Sequence, residues 1–264
     1  MHKIILISTL LLSTMIFAEE SISVSDIASK YTKHSKIKAQ EELKQSLNFG
    51  VSGTSGNTET LNLYLKYNLS VITDGYHNKP LKVAFDTGAF FSENNKTKNN
   101  EEYTANAKLE QYISENWLGY SDLHWLRNPE FKKYNNKFSL GFGAGRVLYK
   151  NSKQSLLVKL GTSINSESYS TQQDSNSFIG LNEYLEYTNN LSKINSLYLK
   201  IGSMQNFDDI QNDYEVSGVA GVKFIVAENI NFSLEEEVLY DNTPALGSIN
   251  TTDTKTIVKL GYNF

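Results

Sequence analysis

The chain has 264 residues, 39% of them hydrophobic, no cysteine, and a formal net charge of −4 at pH 7. This small and well-mixed charge excludes the basic surface typical of nucleic-acid binding, and the absence of cysteine excludes a fold held by disulfides. The 16 tyrosines and 13 phenylalanines favour β-strands. Because Asn, Ser and Thr are also abundant, we expect a sheet with one polar and one apolar face.

The N-terminal residues have the pattern of an export signal. A basic start precedes the apolar residues 4–17, and the small residue Ala18 stands before two glutamates. A secretory signal peptide has this pattern, and the apolar stretch is too short for a transmembrane helix, which needs about 20 apolar residues. We predict a signal peptide over residues 1–18. Residues 19–42 are predicted to form a periplasmic lead, flexible or weakly helical, that could also enter a barrel lumen.

From residue 43 onward, apolar and polar residues alternate with the period of a β-strand. Connections are short after even-numbered segments, as at 114–116 and 227–229, and longer and polar after odd-numbered ones, as at 93–102 and 242–253. Bacterial outer-membrane barrels have an even strand number, short turns at one end and long loops at the other. The sequence therefore predicts an all-β fold, an antiparallel transmembrane β-barrel over residues 43–264, with about twelve strands in an up-and-down meander. The segments begin near residues 43, 61, 81, 103, 117, 138, 156, 179, 197, 214, 230 and 256.

Proline and tryptophan positions agree with this prediction. Pro80, Pro129 and Pro244 all fall in connections, as expected because proline cannot donate to a sheet, although a soluble sandwich would show the same. Trp117 and Trp125 share one face of the fifth segment. At about 3.3 Å per residue their rings lie roughly 26 Å apart along the strand. With a tilt of about 40° this separation is roughly 20 Å along the membrane normal, close to the ~25 Å apolar band between two aromatic girdles.

The connection between the first two segments carries a family resemblance. Residues 53–63 read Gly-Thr-Ser-Gly-Asn-Thr-Glu-Thr-Leu-Asn-Leu, and this Gly-Asn-Thr turn resembles the salt-induced outer membrane protein family, a domain-of-unknown-function family of outer-membrane β-barrels. The glycine-rich residues 134–150 and the following 155–168 fit it as well, so that the similarity covers residues 43–264. The resemblance implies an outer-membrane barrel with a link to salt or envelope stress. It implies no catalytic or binding residues.

The alternation also assigns charged residues of both signs to the inner face. Twelve strands about 4.7 Å apart and tilted by about 40° give a backbone radius of roughly 12 Å, and side chains leave an opening of about 10 Å or less. Such a lumen could pass water, ions or small solutes, or be closed by internal salt bridges. The predicted lumen-lining residues are Lys66, Lys82, Asp86, Lys108, Glu110, Asp122, His124, Lys159, Lys200, Lys223, Glu235, Glu237 and Lys259.

Two acidic residues break the pattern, because Glu183 and Glu236 fall on outward positions in mid-strand. A charge that faces lipid there is unfavourable. The favoured interpretation is a β-bulge that shifts the local register; a subunit interface, or pairing with a neighbour, is the alternative. Arg146 is also outward, but it lies near a strand end, where its stem can snorkel.

No catalytic residue, metal ligand or cofactor is predicted. Asp122 and His124 share a face and could pair, but no nucleophilic serine stands beside them in a recognisable motif. After the signal peptide only His34, His77 and His124 remain, and three scattered histidines form no metal cluster. The acidic residues 208–213 are expected to be a solvated loop rather than a Ca²⁺ site.

The predicted function is that of a non-enzymatic outer-membrane barrel, either a narrow channel or a passive envelope component linked to salt or envelope stress. The alternative is a structural or surface-interaction barrel that acts through its loops, and a lipid-modifying enzyme is less favoured. The expected partners are outer-membrane lipid and, during biogenesis, periplasmic chaperones and the barrel assembly machinery, with no nucleic acid and an undetermined oligomeric state. Phe264, which ends the last segment, is the predicted assembly signal.

Overall fold

The computed structural model describes residues 42–54, 60–95, 97–248 and 251–264. The predicted signal peptide, residues 1–18, and residues 19–41 of the predicted lead lie outside the described residues. The described chain forms twelve strands and, between the second and third, a short 3-10 helix, Tyr76–Asn78. The strands are β1 (Glu42–Thr54), β2 (Thr60–Asp74), β3 (Pro80–Asn94), β4 (Thr97–Tyr112), β5 (Trp117–Asn128), β6 (Tyr134–Lys150), β7 (Gln154–Tyr169), β8 (Asn176–Asn190), β9 (Asn195–Asn206), β10 (Tyr214–Ala227), β11 (Ile230–Asp241) and β12 (Thr252–Asn263).

The strands close into a single antiparallel barrel. Each strand pairs with the next one in the chain, and β12 pairs with β1 from Ser46↔Asn263 to Gly50↔Lys259. The backbone N–H of Phe264 extends this seam by donating to the carbonyl oxygen of Gln45 at 3.1 Å. The prediction of a twelve-stranded up-and-down barrel is confirmed. No helix in the described part of the chain is long and apolar enough to cross a bilayer.

The two ends of the barrel differ in their connections. Even-numbered strands end in connections such as 113–116 and 151–153, at what we call the turn end. Most odd-numbered strands end in longer connections, such as 207–213, at the loop end. The predicted long loop over 93–102 is wrong: residues 97–102 belong to β4 and pair with β3 in a tight hairpin. Their polar composition indicated a loop, but backbone pairing continues among polar residues wherever the strand is solvated.

The alternation separates an outer wall from an inner wall. Outward side chains such as Leu47, Phe49 and Leu65 are apolar and exposed, whereas their neighbours in sequence, such as Asn48, are buried. An outer wall of exposed apolar side chains around a polar interior is the inverse of a soluble protein, and it is the arrangement of membrane barrels.

Glycines on the inner wall make room for side chains of neighbouring strands. A Cβ added to Gly143 would lie 2.3 Å from the carbonyl oxygen of Leu160 and 2.9 Å from the Tyr120 ring, and one added to Gly161 would lie 2.4 Å from the Tyr120 hydroxyl. The Tyr120 side chain thus occupies the space over both glycines. The other inward glycines of β6 are similarly crowded: a Cβ added to Gly141 would lie 2.7 Å from Asp122 Oδ1, and one added to Gly145 would lie 2.9 Å from the Leu118 side chain. Close packing of this kind explains the glycine-rich pattern of β6.

The predicted bulge at Glu183 and Glu236 is wrong. The pairings of β8 with β7 and β9 have no register shift, and neither does the pairing of β11 with β12. Both carboxylates stay on the outer wall, where a hydroxyl of the neighbouring strand donates to each: Ser203 Oγ to Glu183 at 2.8 Å and Thr256 Oγ1 to Glu236 at 2.5 Å. The structure therefore has the alternative arrangement, in which each carboxylate pairs with a neighbour. The hydrogen bonds lower the free-energy cost of the outward charge without any change of register.

Candidate functional site

All thirteen residues predicted to line the lumen lie on the inner wall. Contacts between strands that are far apart in the barrel establish this direction, since such contacts can only run through the interior. Lys159 on β7 forms an ion pair with Glu110 on β4, and Lys255 on β12 forms one with Glu102 on β4. Whether these residues line an open lumen is a question of function and stays a prediction.

The charged side chains of the inner wall form two groups along the barrel axis. The two groups comprise the described strand residues apart from the end residue of each strand. Two further charges border the cavity at the loop end, Lys132 in a connection and Asp241 at the end of β11, and they are opposite in sign. The turn-end half extends to the layer of Lys66, Asp122 and Glu235. It contains eight lysines and five carboxylates: Lys44, Lys66, Lys82, Lys108, Lys159, Lys200, Lys223 and Lys259, with Asp86, Glu110, Asp122, Glu186 and Glu235. The loop-end half contains two lysines and five carboxylates: Lys137 and Lys255, with Glu102, Glu167, Glu215, Glu237 and Asp253.

In the turn-end half, one buried carboxylate joins three strands. Glu110 on β4 receives Lys82 from β3 at 3.4 Å and Lys159 from β7. The Lys159 ammonium also lies 5.1 Å from the Tyr120 ring centre and 5.3 Å from that of Tyr184. These contacts combine ion pairing with cation–π attraction, and they draw β7 toward β4 across the lumen.

A chain of polar contacts runs along the wall at mid-height. Lys66 Nζ lies 3.3 Å from Asp86 Oδ1, and the Asn106 amide donates to the same oxygen at 2.8 Å. The Asn106 carbonyl oxygen lies 2.5 Å from His124 Nδ1. Because a carbonyl oxygen can only accept, the Nδ1 atom of His124 carries the proton. His124 is therefore bonded to Asn106 and not to Asp122, the partner that the sequence offered.

In the loop-end half, two ion-pair clusters narrow the lumen. Glu102 receives Lys132 at 3.0 Å and also Lys255. Lys137 lies 2.7 Å from Glu167 and also forms an ion pair with Glu215 on β10. Sequence reasoning missed the strand residues of these clusters, Glu102, Lys137, Glu167, Glu215 and Lys255. Extending the alternation to the full strand lengths would have found them, but apolar partners that signal a strand are scarcer near the loop end.

Lys132 stands outside the strands, in the connection between β5 and β6. Burial by itself lowers the pKa of Lys132, but the Glu102 carboxylate raises it, and the net effect is a pKa above the ordinary lysine value. Lys132 therefore keeps its positive charge at neutral pH and holds its connection against the wall of the lumen.

A cavity of about 510 Å³ lies inside the barrel, largely in the loop-end half. Of the predicted residues, Lys108, Asp122, His124 and Glu237 border it. Lys108 is exposed to this space and forms neither a hydrogen bond nor an ion pair within the described part of the chain. The cavity is large enough for a small polar molecule or several waters.

The connection between β11 and β12 lies over this cavity. We call its residues 242–248 the cap. Ala245 is buried, 3% exposed, against Leu126 and Tyr134, and Leu246 N–H donates to Gln173 Oε1 at 2.7 Å. Ser248 Oγ donates to the Lys132 carbonyl oxygen at 3.4 Å. The cap is thus held by one small apolar contact and a few hydrogen bonds to other connections.

Apolar side chains occupy part of the lumen at the turn end. Six buried residues from β2 to β7 pack together there: Ile72, Tyr112, Leu118, Tyr120, Val147 and Leu157. On the other side, strands β8 to β1 present polar and charged residues such as Thr188, Lys223 and Lys44. The turn end therefore has one apolar and one polar side.

No metal centre is apparent, because no group of three His, Cys, Asp or Glu residues that could hold an ion occurs among the described residues. In the acidic residues 208–213, Asp209 accepts from Asn212 Nδ2 at 2.9 Å and Asp213 accepts from Thr243 Oγ1 at 2.6 Å. Phe264 is exposed, with its ring 5.1 Å from that of Tyr262; its role as an assembly signal stays a prediction.

Three solved barrels are similar to this one. The COG4313 outer membrane channel from Pseudomonas putida F1 has a TM-score of 0.50 at 10% identity, over 88% of this chain and 100% of that chain. The NanC porin has a TM-score of 0.48 at 9% identity, over 84% and 99%. The translocator domain of autotransporter NalP from Neisseria meningitidis has a TM-score of 0.45 at 14% identity, over 91% and 93%. At such identities the similarity to the Pseudomonas channel shows the fold alone.

No curated protein matches the sequence. The model of one family, described as "Protein of unknown function, DUF481", matches residues 47–264 and so covers almost the whole barrel. The chain belongs to this family.

Proposed function

We propose that the protein is a narrow, gated channel of the bacterial outer membrane. The observation that carries the proposal is the cavity of about 510 Å³ inside a closed barrel, bordered by charged side chains such as Lys108 and Glu237 beside polar and apolar ones. Side chains can fill the interior of a small barrel completely, so a cavity with charged side chains that is left open in this one favours the passage of ions or small polar solutes. By the barrel rule, the loop end faces outside and the turn end faces the periplasm.

The outer wall supports the membrane location. Trp117 and Tyr262 lie toward the turn end and Trp125 and Tyr240 toward the loop end. All four are on the outer wall, and apolar residues such as Leu123 lie between them. Aromatic rings at both edges of an apolar band are the usual contact with lipid headgroups.

Two devices close the lumen in this conformation. The cap covers the loop end, and the ion pairs Lys255–Glu102 and Lys159–Glu110 cross the interior. An opening event requires the cap to leave the mouth and a lysine to move toward another carboxylate. Charged side chains that line a narrow passage then determine which solutes pass.

Recording in planar bilayers tests the proposal, with Lys255→Met compared against Lys82→Met. The first removes an ion pair that crosses the lumen and leaves Glu102 with Lys132; the second removes a pair between neighbouring strands and leaves Glu110 with Lys159. We expect brief current steps in the wild type, longer open times in Lys255→Met, and wild-type behaviour in Lys82→Met. If the wild type and both variants are folded but pass no current over a range of salts and voltages, the channel function is wrong.

Exposed apolar residues at the loop end favour a second candidate function, a surface-interaction barrel. Phe207, Ile210 and Leu246 are exposed on two connections that are joined by a 2.6 Å hydrogen bond from Asn242 Nδ2 to the Asn212 carbonyl oxygen. This function predicts that replacing the three apolar residues by serine abolishes adhesion or phage binding and leaves conductance unchanged. Lost conductance with unchanged surface binding would speak against it.

We further propose that the barrel has no enzymatic activity. His124 lies inside the barrel and is bonded to Asn106, where lipid of the bilayer has no access. Lipid hydrolysis by the purified protein that disappears in His124→Ala would contradict this. The link to salt rests on the family resemblance alone, and protein levels measured at several osmolarities test it.

A further inference from the structure

We propose that the lumen is bipolar, with an acidic loop-end half and a basic turn-end half, so that the open channel passes more current in one direction than in the other. This inference rests on the proposed channel function and adds a direction to it. No single residue carries it, because it follows from how charges of opposite sign are distributed along the axis.

The excess of charge has opposite sign in the two halves. Among the described inward residues, the eight lysines and five carboxylates of the turn-end half leave three positive charges. The two lysines and five carboxylates of the loop-end half leave three negative charges, and Lys132 and Asp241, which also border the cavity, cancel each other. The net charge of these inward residues is therefore zero, and a composition count alone does not reveal the separation.

Ion pairs neutralise part of the charge in each half of the lumen but leave the excess charge of that half. In the turn-end half, Glu110 already has two lysines, and Lys108 has no ion pair within the described residues. In the loop-end half, Glu237 and Asp253 border the cavity and take part in no ion pair or hydrogen bond of the described chain. The excess charges consequently face the space that a permeating ion would occupy.

The narrow lumen makes these charges effective. With an opening of about 10 Å or less, every point in the lumen lies within one Debye length of the wall, about 8 Å at physiological ionic strength. The acidic half thus concentrates cations and the basic half concentrates anions. When the loop-end side is positive, cations enter through the acidic half and anions enter through the basic half, and both accumulate where the halves meet. With the opposite polarity both are withdrawn, and the lumen is depleted of carriers.

The test is the current–voltage curve of single channels in planar bilayers in symmetric KCl, with insertion from one side. We expect the current to be larger when the loop-end side is positive, by on the order of twofold in dilute salt, and to approach symmetry at 1 M, where the Debye length is about 3 Å.

Variants separate lumen charge from other causes of asymmetry. The doubles Lys108→Gln/Lys200→Gln and Glu237→Gln/Asp253→Asn each reduce the excess of one half from three charges to one, and both should bring the current ratio toward unity. Arg146→Gln is the matched control, since it removes a cation from the outer wall, where Arg146 lies 5.1 Å from the Trp117 ring centre; its ratio should equal that of the wild type.

The outcomes distinguish this inference from the proposed function. A symmetric current in the wild type overturns the bipolar lumen and leaves the channel intact. A ratio that persists in both double variants, or that disappears in Arg146→Gln, overturns it as well. Silent bilayers for every variant overturn the channel and this inference together.

Discussion

The two ends of the lumen are narrowed in different ways. At the turn end, apolar side chains such as Leu118 and Tyr120 belong to the strands themselves and lie over the glycines of β6 and β7. At the loop end, the closing element is the cap, a connection held by Ala245 and a few hydrogen bonds. The apolar side of the turn end is therefore part of the wall and stays in place, beside the polar side, whereas the cap at the loop end can move without unfolding a strand.

The largest effect is expected from crowding the turn-end wall. A Cβ at Gly143 would lie 2.3 Å from a backbone oxygen, so Gly143→Val forces strands apart, and overpacking of this kind costs about 3 kcal/mol or more. We expect most of the protein to fail to reach the folded, heat-modifiable form on gels. Gly119→Ala is the control, because the nearest atom to its added Cβ is 4.0 Å away. Normal folding of Gly143→Val would contradict the packing described for β6.

An intermediate effect is expected from loosening the cap. Ala245→Asp places a carboxylate in the apolar contact with Leu126 and Tyr134, at a cost of more than about 1.4 kcal/mol, which shifts the closed-to-open ratio about tenfold or more. The open probability in bilayers should rise accordingly, with folding unaffected. Leu246→Asp carries the same charge on the adjacent residue, which is 68% exposed, and should behave as the wild type. Equal open probabilities in the two variants would mean that the cap does not gate the lumen.

The smallest effect is expected on the outer wall, away from both ends. Glu183→Gln removes a lipid-facing charge, and it should stabilise the barrel by about 1 kcal/mol or less in urea titrations in liposomes. Ser203→Ala removes the 2.8 Å hydrogen bond to Glu183 and should destabilise the barrel by about 1 kcal/mol. If Glu183→Gln destabilises the barrel instead, the carboxylate has a role that its neighbours do not explain.

Much of the architecture could be predicted because a strand imposes a period of two. Leu47 and Phe49 face outward and Asn48 inward for a reason that lies within a few residues of sequence. The same local rule assigned the inward charges. It could not distinguish a bulge from an outward glutamate with a hydroxyl neighbour, because Ser203 is twenty residues away from Glu183 in the chain and adjacent to it only in the sheet.

The closure of the lumen could not be predicted from local patterns. The pairing of Lys255 with Glu102 depends on the stagger of twelve strands, since β12 and β4 meet only across the interior. The burial of Ala245 depends on where a connection folds after leaving the sheet. Neither has a periodic signature, and only the closed barrel brings those residues together.

The most direct test of the gated channel is the single-channel record of the wild-type protein beside Ala245→Asp in the same planar bilayers. We expect small, infrequent current steps for the wild type, and steps of the same size but about tenfold or more frequent for the variant, since only the closed-to-open ratio changes. An absence of steps in both, with the barrel shown to be folded, would contradict the claim that this lumen conducts.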